Sequence, residues 1–216
     1  MTRLLPHLDP DFLSQFLTGM TVNFEIAAVA LALGLALGLL LAWARVGGGA
    51  AGVAAASIIG LMRAAPTFVV MFFLLNAIPR NANLFGLPLA PSGMMAVAAS
   101  LVPYSAAYIA DAGVAAIRQL RAGSPLGALL FLPNVTRAFF VLVMSSGAGA
   151  AIGVNEAIAV LLRQAELMPT LGDRLILFAI GVAAFGIPLQ IGFALIRALQ
   201  RRLSRVMMRQ QEETTP

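Results

Sequence analysis

The sequence has no cysteine, no lysine, a single histidine (His7) and little charge of either sign. Without cysteine there can be no disulfide, thiolate metal site or thiol nucleophile. One histidine near a terminus can assemble neither a metal triad nor a histidine-assisted nucleophile. A phosphate loop of the G-x-x-x-x-G-K-[ST] type needs a lysine, so the chain cannot hydrolyse ATP in that way. The chain therefore reads as a non-enzyme without metal or cofactor of its own, and any ATP that drives it would be bound by a partner. Charged residues make up 11% of the chain, against about a quarter in an ordinary soluble domain.

What is present is apolar. Sixty per cent of the residues are hydrophobic and the mean hydropathy is +0.92, which marks an integral membrane protein. A transmembrane β-barrel would alternate apolar and polar residues in runs of about ten. Here the runs are solid, as from Ile26 to Ala44, so the spans are helical and the expected fold class is an all-α integral membrane protein. The net charge of +5 comes from arginines at the ends of these runs. No basic face with interleaved aromatics exists, so the charge speaks of topology and not of nucleic acid.

Residues 1–20 are mixed and broken by Pro6 and Pro10. They predict a surface segment, with Asp11 capping an amphipathic turn through Phe12, Phe16 and Leu17. No cleavable leader is apparent ahead of the first apolar run. The transmembrane region is expected over 21–200, with spans near 21–44, 57–79, 92–110, 138–152 and 175–196, and a cytoplasmic tail over 201–216. Between Arg45 and Arg80 the chain is interrupted by Arg63 alone. As one straight helix this stretch would be about 50 Å long, too long for a core of about 30 Å. A hairpin at Arg63-Ala64-Ala65-Pro66 would leave two marginal halves, so one helix kinked near Pro66 is preferred, its Gly/Ala-rich start (47–56) near the membrane surface. Residues 80–91 read as an external loop. Val154 to Met168 is amphipathic at helical spacing and is expected along the outer surface.

Arginine counting supports this layout. With the N-terminus outside and the C-terminus cytoplasmic, nine arginines (45, 118, 121, 137, 197, 201, 202, 205 and 209) fall inside and four (3, 80, 163 and 174) outside, as short arginine-rich loops require. A six-span layout counts similarly, and the missing room for a hairpin at Arg63 favours five.

Ionisable groups at membrane depth are costly and draw functional suspicion. Arg63 is the leading candidate for a substrate path, as a receiver of a substrate carboxylate or as the partner of an acid; snorkelling to the interface is the structural alternative. Pro66, Tyr104, Ser145 and Ser146 complete the expected path. Both tyrosines, Tyr104 and Tyr108, also serve as packing residues. Asn23 and Glu25 read as solvated caps, Asp111 as a group at a helix end, and Gln190 as a hydrogen-bonding residue between helices. The small residues Ser145 to Ala151 predict a closely packed central element.

Several pieces, in order, resemble the permease subunits of polar-amino-acid ABC importers. Gly19-Met20-Thr21 resembles the G-x-T start of that family's first helix. Ile58 to Pro79 resembles its arginine-small-small-proline segment and following apolar run. Ala107 to Asp111 resembles its AY-x-A-E, Leu132 to Arg137 its LP-x-x-x-R, and Ile152 to Glu156 its IGV-x-E turn. The resemblance implies a type I importer core of five helices. It also implies a cytoplasmic loop that couples to the ATPase through Val114, Ala115, Ala116, Arg118, Arg121, Leu132, Pro133 and Arg137. The family's Glu-Ala-Ala acid is absent here. Counting back from Pro133 puts Val114-Ala115-Ala116 in its place; aligning from Ala107 implies a deletion of about a dozen residues instead.

The resemblance implies a transmembrane subunit of an ATP-driven importer in the bacterial inner membrane. It would pass a small polar solute, an amino acid, from a periplasmic binding protein to the cytoplasm by alternating access. Its expected partners are a second permease chain, an ABC ATPase dimer, that binding protein and membrane lipid. The alternative is a non-transporting scaffold or regulatory subunit that kept the fold and lost coupling, which the altered loop favours. A secondary transporter would show an inverted repeat, and none is seen.

Overall fold

Helix α1, Pro10–Gly47, is the axis against which most of the chain packs. The computed structural model describes residues 10–79, 83–84, 87–88, 90–124, 128–129 and 131–214; side chains are placed for all of these except 83–84, 87–88, 199–200 and 203–214. The expected features at Arg3, His7 and Arg80 lie outside the described residues. The expected surface turn before residue 21 is not separate. Residues 10–20 form the first turns of α1, because Phe12 and Phe16 are buried against the helices that close the same end.

Helix α4, Gly93–Arg121, lies beside α1 and makes its largest contact. Gly34 faces Ser105, Gly38 faces Ile109 and Ala42 faces Gly113, so the two helices run in the same direction. A Cβ on Gly34 would lie 2.1 Å from Ser105 Oγ. Only a side-chain-free position lets the backbones approach that closely, which is how helices associate where no hydrophobic force drives them.

Between α1 and α4 the chain makes two shorter helices, α2 (Gly49–Ala64) and α3 (Thr67–Ala77). Gly48 and Gly49, with φ of 75° and 61°, turn the chain out of α1, a conformation that side chains resist. The pair is bent by 92°. Proline disfavours helical geometry in the residue before it, and Ala65 is extended at ψ 116°. The kink thus falls at the expected place. Helix α2 buries Gly52, Ala55 and Ile59, the last two in a cluster with Leu41, Ala107 and Ala110, so it packs across the end of α1 and the middle of α4. Helix α3 then sends Met71 into the central core with Ile26, Val97, Leu101, Leu142 and Val143.

A two-residue ladder pairs Asn83 with Pro88 and Leu84 with Leu87 within the expected external loop. Helix α5, Phe131–Ser145, continues as a 3-10 segment, Ser146–Ile152. The expected span from 138 therefore begins at 131, and Leu132-Pro133 lies in its first turn, where the missing proline N–H costs nothing. Gly153 ends the 3-10 segment in the left-handed region, φ 81°, and helix α6, Ala157–Glu166, follows. The last helix, α7, runs Leu171–Thr214, so the tail expected from 201 continues the same helix.

Helices α1, α4, α5 with its 3-10 extension, and α7 are each long and apolar enough to cross a membrane; the bent pair α2–α3 makes a fifth span when taken as one. The protein is a multi-pass, all-α membrane protein.

Candidate functional site

Among the described residues, two polar clusters tie the helices of the apolar bundle together. The first is built on Asn23, which stands on the buried stripe of α1 with Gly19, Ala27, Ala30 and Gly34. Its Nδ2 donates to Ser146 Oγ at 2.8 Å and to Glu156 Oε2 at 2.9 Å. Its Oδ1 accepts from the Ala157 N–H at 3.1 Å. Ser146 in turn donates to the Val143 carbonyl. Glu156 is the N-cap of α6, accepting from the N–H groups of Ile158 at 2.8 Å and Ala159 at 2.9 Å. All three side chains are fully buried.

Burial of a polar group is costly unless its bonds are made, and here they are. A helix N-terminus also favours a carboxylate. Burial nevertheless wins for Glu156: it raises the carboxyl above its ordinary value, against the opposing pull of the hydrogen bonds from Ile158, Asn23 and Ala159 and the charge of Arg163. Gly19 completes the arrangement, since a Cβ there would lie 2.7 Å from the Ala157 nitrogen and 2.8 Å from the Glu156 carbonyl carbon. Beside Asn23 lies a cavity of about 320 Å³, almost wholly apolar, walled by Val143, Met144, Ile158, Phe178 and Phe185.

These positions correct two expectations. Asn23 is buried, not a solvated cap, while Glu25 is exposed as expected. Glu156 faces inward although it opens an amphipathic helix, because the α6 N–H groups and Asn23 both point at it. A sequence signal existed for Asn23: it keeps helical register with the small residues of α1, the face that packs.

The second cluster joins the end of α1, the end of α2 and the last third of α4. Asp111 accepts from Arg45 Nη1 at 3.0 Å and pairs with Arg63 through its other oxygen. Arg121 donates to the Val46 carbonyl at 3.4 Å. The partners are partly exposed, at 37% for Arg45, 61% for Arg63 and 44% for Asp111. Arg63 is exposed at the end of α2 and pairs with an acid, Asp111, one of the two roles expected of it; the wrap of α2 across the bundle end carries it there. Asp111 is not at a helix end, because α4 runs on through Arg121. From Asn23 to Arg45 the rise along α1 is about 33 Å, close to the hydrocarbon thickness of about 30 Å. The clusters therefore stand about one hydrocarbon thickness apart along α1.

The remaining expected path residues are dispersed. Pro66 is exposed at the bend, Ser145 is half-buried and Ser146 belongs to the first cluster. Tyr104 stacks on Tyr108, centroids 6.3 Å apart, and the Tyr108 hydroxyl donates to Asn134 Oδ1 at 3.4 Å, linking α4 to α5. Gln190 is exposed. Of the expected coupling residues, Val114 is buried, Ala115 exposed and Ala116 half-buried within α4; Arg118 and Arg121 lie in its last turn; Leu132 and Arg137 are exposed and Pro133 half-buried on α5. Among the described residues the segment is helical through Arg121, again at 128–129 and from Phe131 onward, and residues 125–127 and 130 of the expected loop lie outside the described residues.

Fold and clusters together define a helical membrane protein with polar groups at both ends of its bundle. A chain of a solved structure described as an amino acid ABC transporter with histidines has the same fold: the TM-score is 0.67 at 19% identity, over 89% of this chain and 95% of that one. No protein-family model and no curated protein matches the sequence.

Proposed function

We propose that this chain is the transmembrane subunit of an ATP-driven importer, passing a small polar solute, an amino acid, into the cytoplasm of a bacterium. The observation that carries the reading is the shared fold over nearly the full length of an amino acid ABC transporter chain. The five ordered sequence motifs support it independently. In this reading two permease chains form the pathway, a periplasmic binding protein delivers the solute and an ABC ATPase dimer docks against the end carrying Arg118, Arg121 and Arg137. The chain lies in the inner membrane with its C-terminus cytoplasmic, in accord with the arginine distribution. Catalysis is absent from the chain; ATP binds the partner. Alternating access then means that the α1–α4 pair, locked by glycine contacts, moves as one body relative to the other permease chain.

The test is uptake by proteoliposomes holding this chain, its genomic neighbour permease and ATPase, with the neighbouring binding protein added. ATP-dependent uptake of an amino acid is the expected result. A second reading, a regulatory or scaffold subunit without coupling, is favoured by the altered coupling segment, which lacks the family's acid. Co-purification separates the two: failure to capture an ATPase, alone or with the neighbouring chains, removes the importer mechanism.

A further inference from the structure

We propose that the arginine cluster where α1 ends, α2 crosses and α4 passes is a binding site for the headgroup of an anionic phospholipid. This goes beyond the importer reading and rests only on the protein being embedded in a membrane.

Three guanidinium groups meet there. Arg45 and Arg63 share Asp111, and Arg121 reaches the Val46 carbonyl one residue from Arg45. Asp111 is the acid that ion-pairs at this cluster among the described residues. The other carboxylates with placed side chains, Asp11, Glu25, Glu156, Glu166 and Asp173, belong to the opposite end of the bundle. Three positive groups against one negative leave two charges unmatched, and a fourth arginine, Arg118, is exposed on the same last turn of α4 as Arg121. Arginine forks match phosphate oxygens in pairs, and clustered arginines at the membrane surface attract acidic lipid.

The surroundings select a lipid over a soluble phosphate. Trp43 (71% exposed) and Leu61 (75% exposed) stand within one helical turn in depth of Arg45 and Arg63 on α1 and α2. At that depth the helices present both cationic and exposed apolar side chains. A ligand that satisfies both must carry a phosphate and acyl chains. Arg45 also closes the uncharged run Ile26 to Ala44 of α1, the level at which a spanning helix meets lipid headgroups.

The experiment uses the full chain, purified in neutral detergent and stripped of lipid. Phosphatidylglycerol and phosphatidylcholine are titrated separately, and bound lipid is counted by native mass spectrometry. Phosphatidylglycerol is expected to bind at least about tenfold more tightly, with about a fivefold loss for each of Arg45→Gln and Arg121→Gln. Arg174→Gln, at the other end of the bundle, leaves binding unchanged. Asp111→Asn removes the competing carboxylate and tightens binding, which keeps the test decisive should an arginine variant fail to fold. Equal affinity for both lipids, or arginine variants without effect, overturns the site. So does displacement of the lipid by equimolar glycerol phosphate, which marks a free-phosphate site, or loss of lipid binding when the chain dimerises, which assigns the cluster to a second copy.

Discussion

Asn23 and Glu156, 133 positions apart in the chain, are joined by a buried hydrogen bond of 2.9 Å. Through it the first helix is tied to the cap of α6, and through Ser146 to the end of α5. The IGV-x-E turn has a physical meaning here. Gly153 turns the chain in the left-handed region, Val154 enters the central core and Glu156 then meets both α6 and α1.

Replacing Asn23 by leucine leaves the Ala157 N–H without its side-chain acceptor and the Glu156 carboxyl one donor short. Unsatisfied buried groups cost about 1–3 kcal/mol each, so a clear fall in melting temperature in detergent is expected. Ser146→Ala should cost less, near ~1 kcal/mol, because one neutral hydrogen bond is lost from each side. A larger fall for Ser146→Ala than for Asn23→Leu would contradict the network.

The Glu156 carboxyl, capping α6 outside the spans, is raised above its ordinary value by burial. The folded state thus holds its proton to higher pH than the unfolded state does. Stability from this group is complete below the ordinary glutamate range and is lost as pH rises through the raised value. Thermal unfolding followed from pH 4 to 8 should show that decline in the native protein. Glu156→Gln, which does not titrate, should flatten it; an equal slope in both proteins assigns the effect elsewhere.

Gly19→Ala drives a methyl group into the Glu156–Ala157 backbone, and overpacking of this kind costs about 1–3 kcal/mol. Gly186→Ala is the contrast. Nothing lies within 4 Å of a Cβ there, and glycine within a helix is less stable than alanine by about 0.5–1 kcal/mol. Melting temperatures should move in opposite directions, and a shared direction would refute the close contact of α1 with the α6 cap.

Asp111→Asn should change stability by less than about 1 kcal/mol, since exposed ion pairs contribute little and are screened by salt. Melting curves at low and high salt check this. A loss of several kcal/mol would mean that the pairing is far more enclosed than its partial exposure indicates.

The sequence determined the environment and much of the architecture. Solid apolar runs require helices in lipid, because unpaired backbone groups are not tolerated there. Pro66 marked the bend between α2 and α3, and the order of motifs pointed to the importer fold. Those are local properties, written in composition, period and backbone preference. The partners of polar side chains were decided only by tertiary structure. Asn23 and Asp111 read as ordinary helix-end groups in one dimension, and Glu156 as part of an outer turn and amphipathic helix. Their roles come from the parallel docking of α1 on α4 and from α2 crossing the bundle end, which bring residues far apart in the chain within hydrogen-bond reach, and no local pattern encodes that proximity.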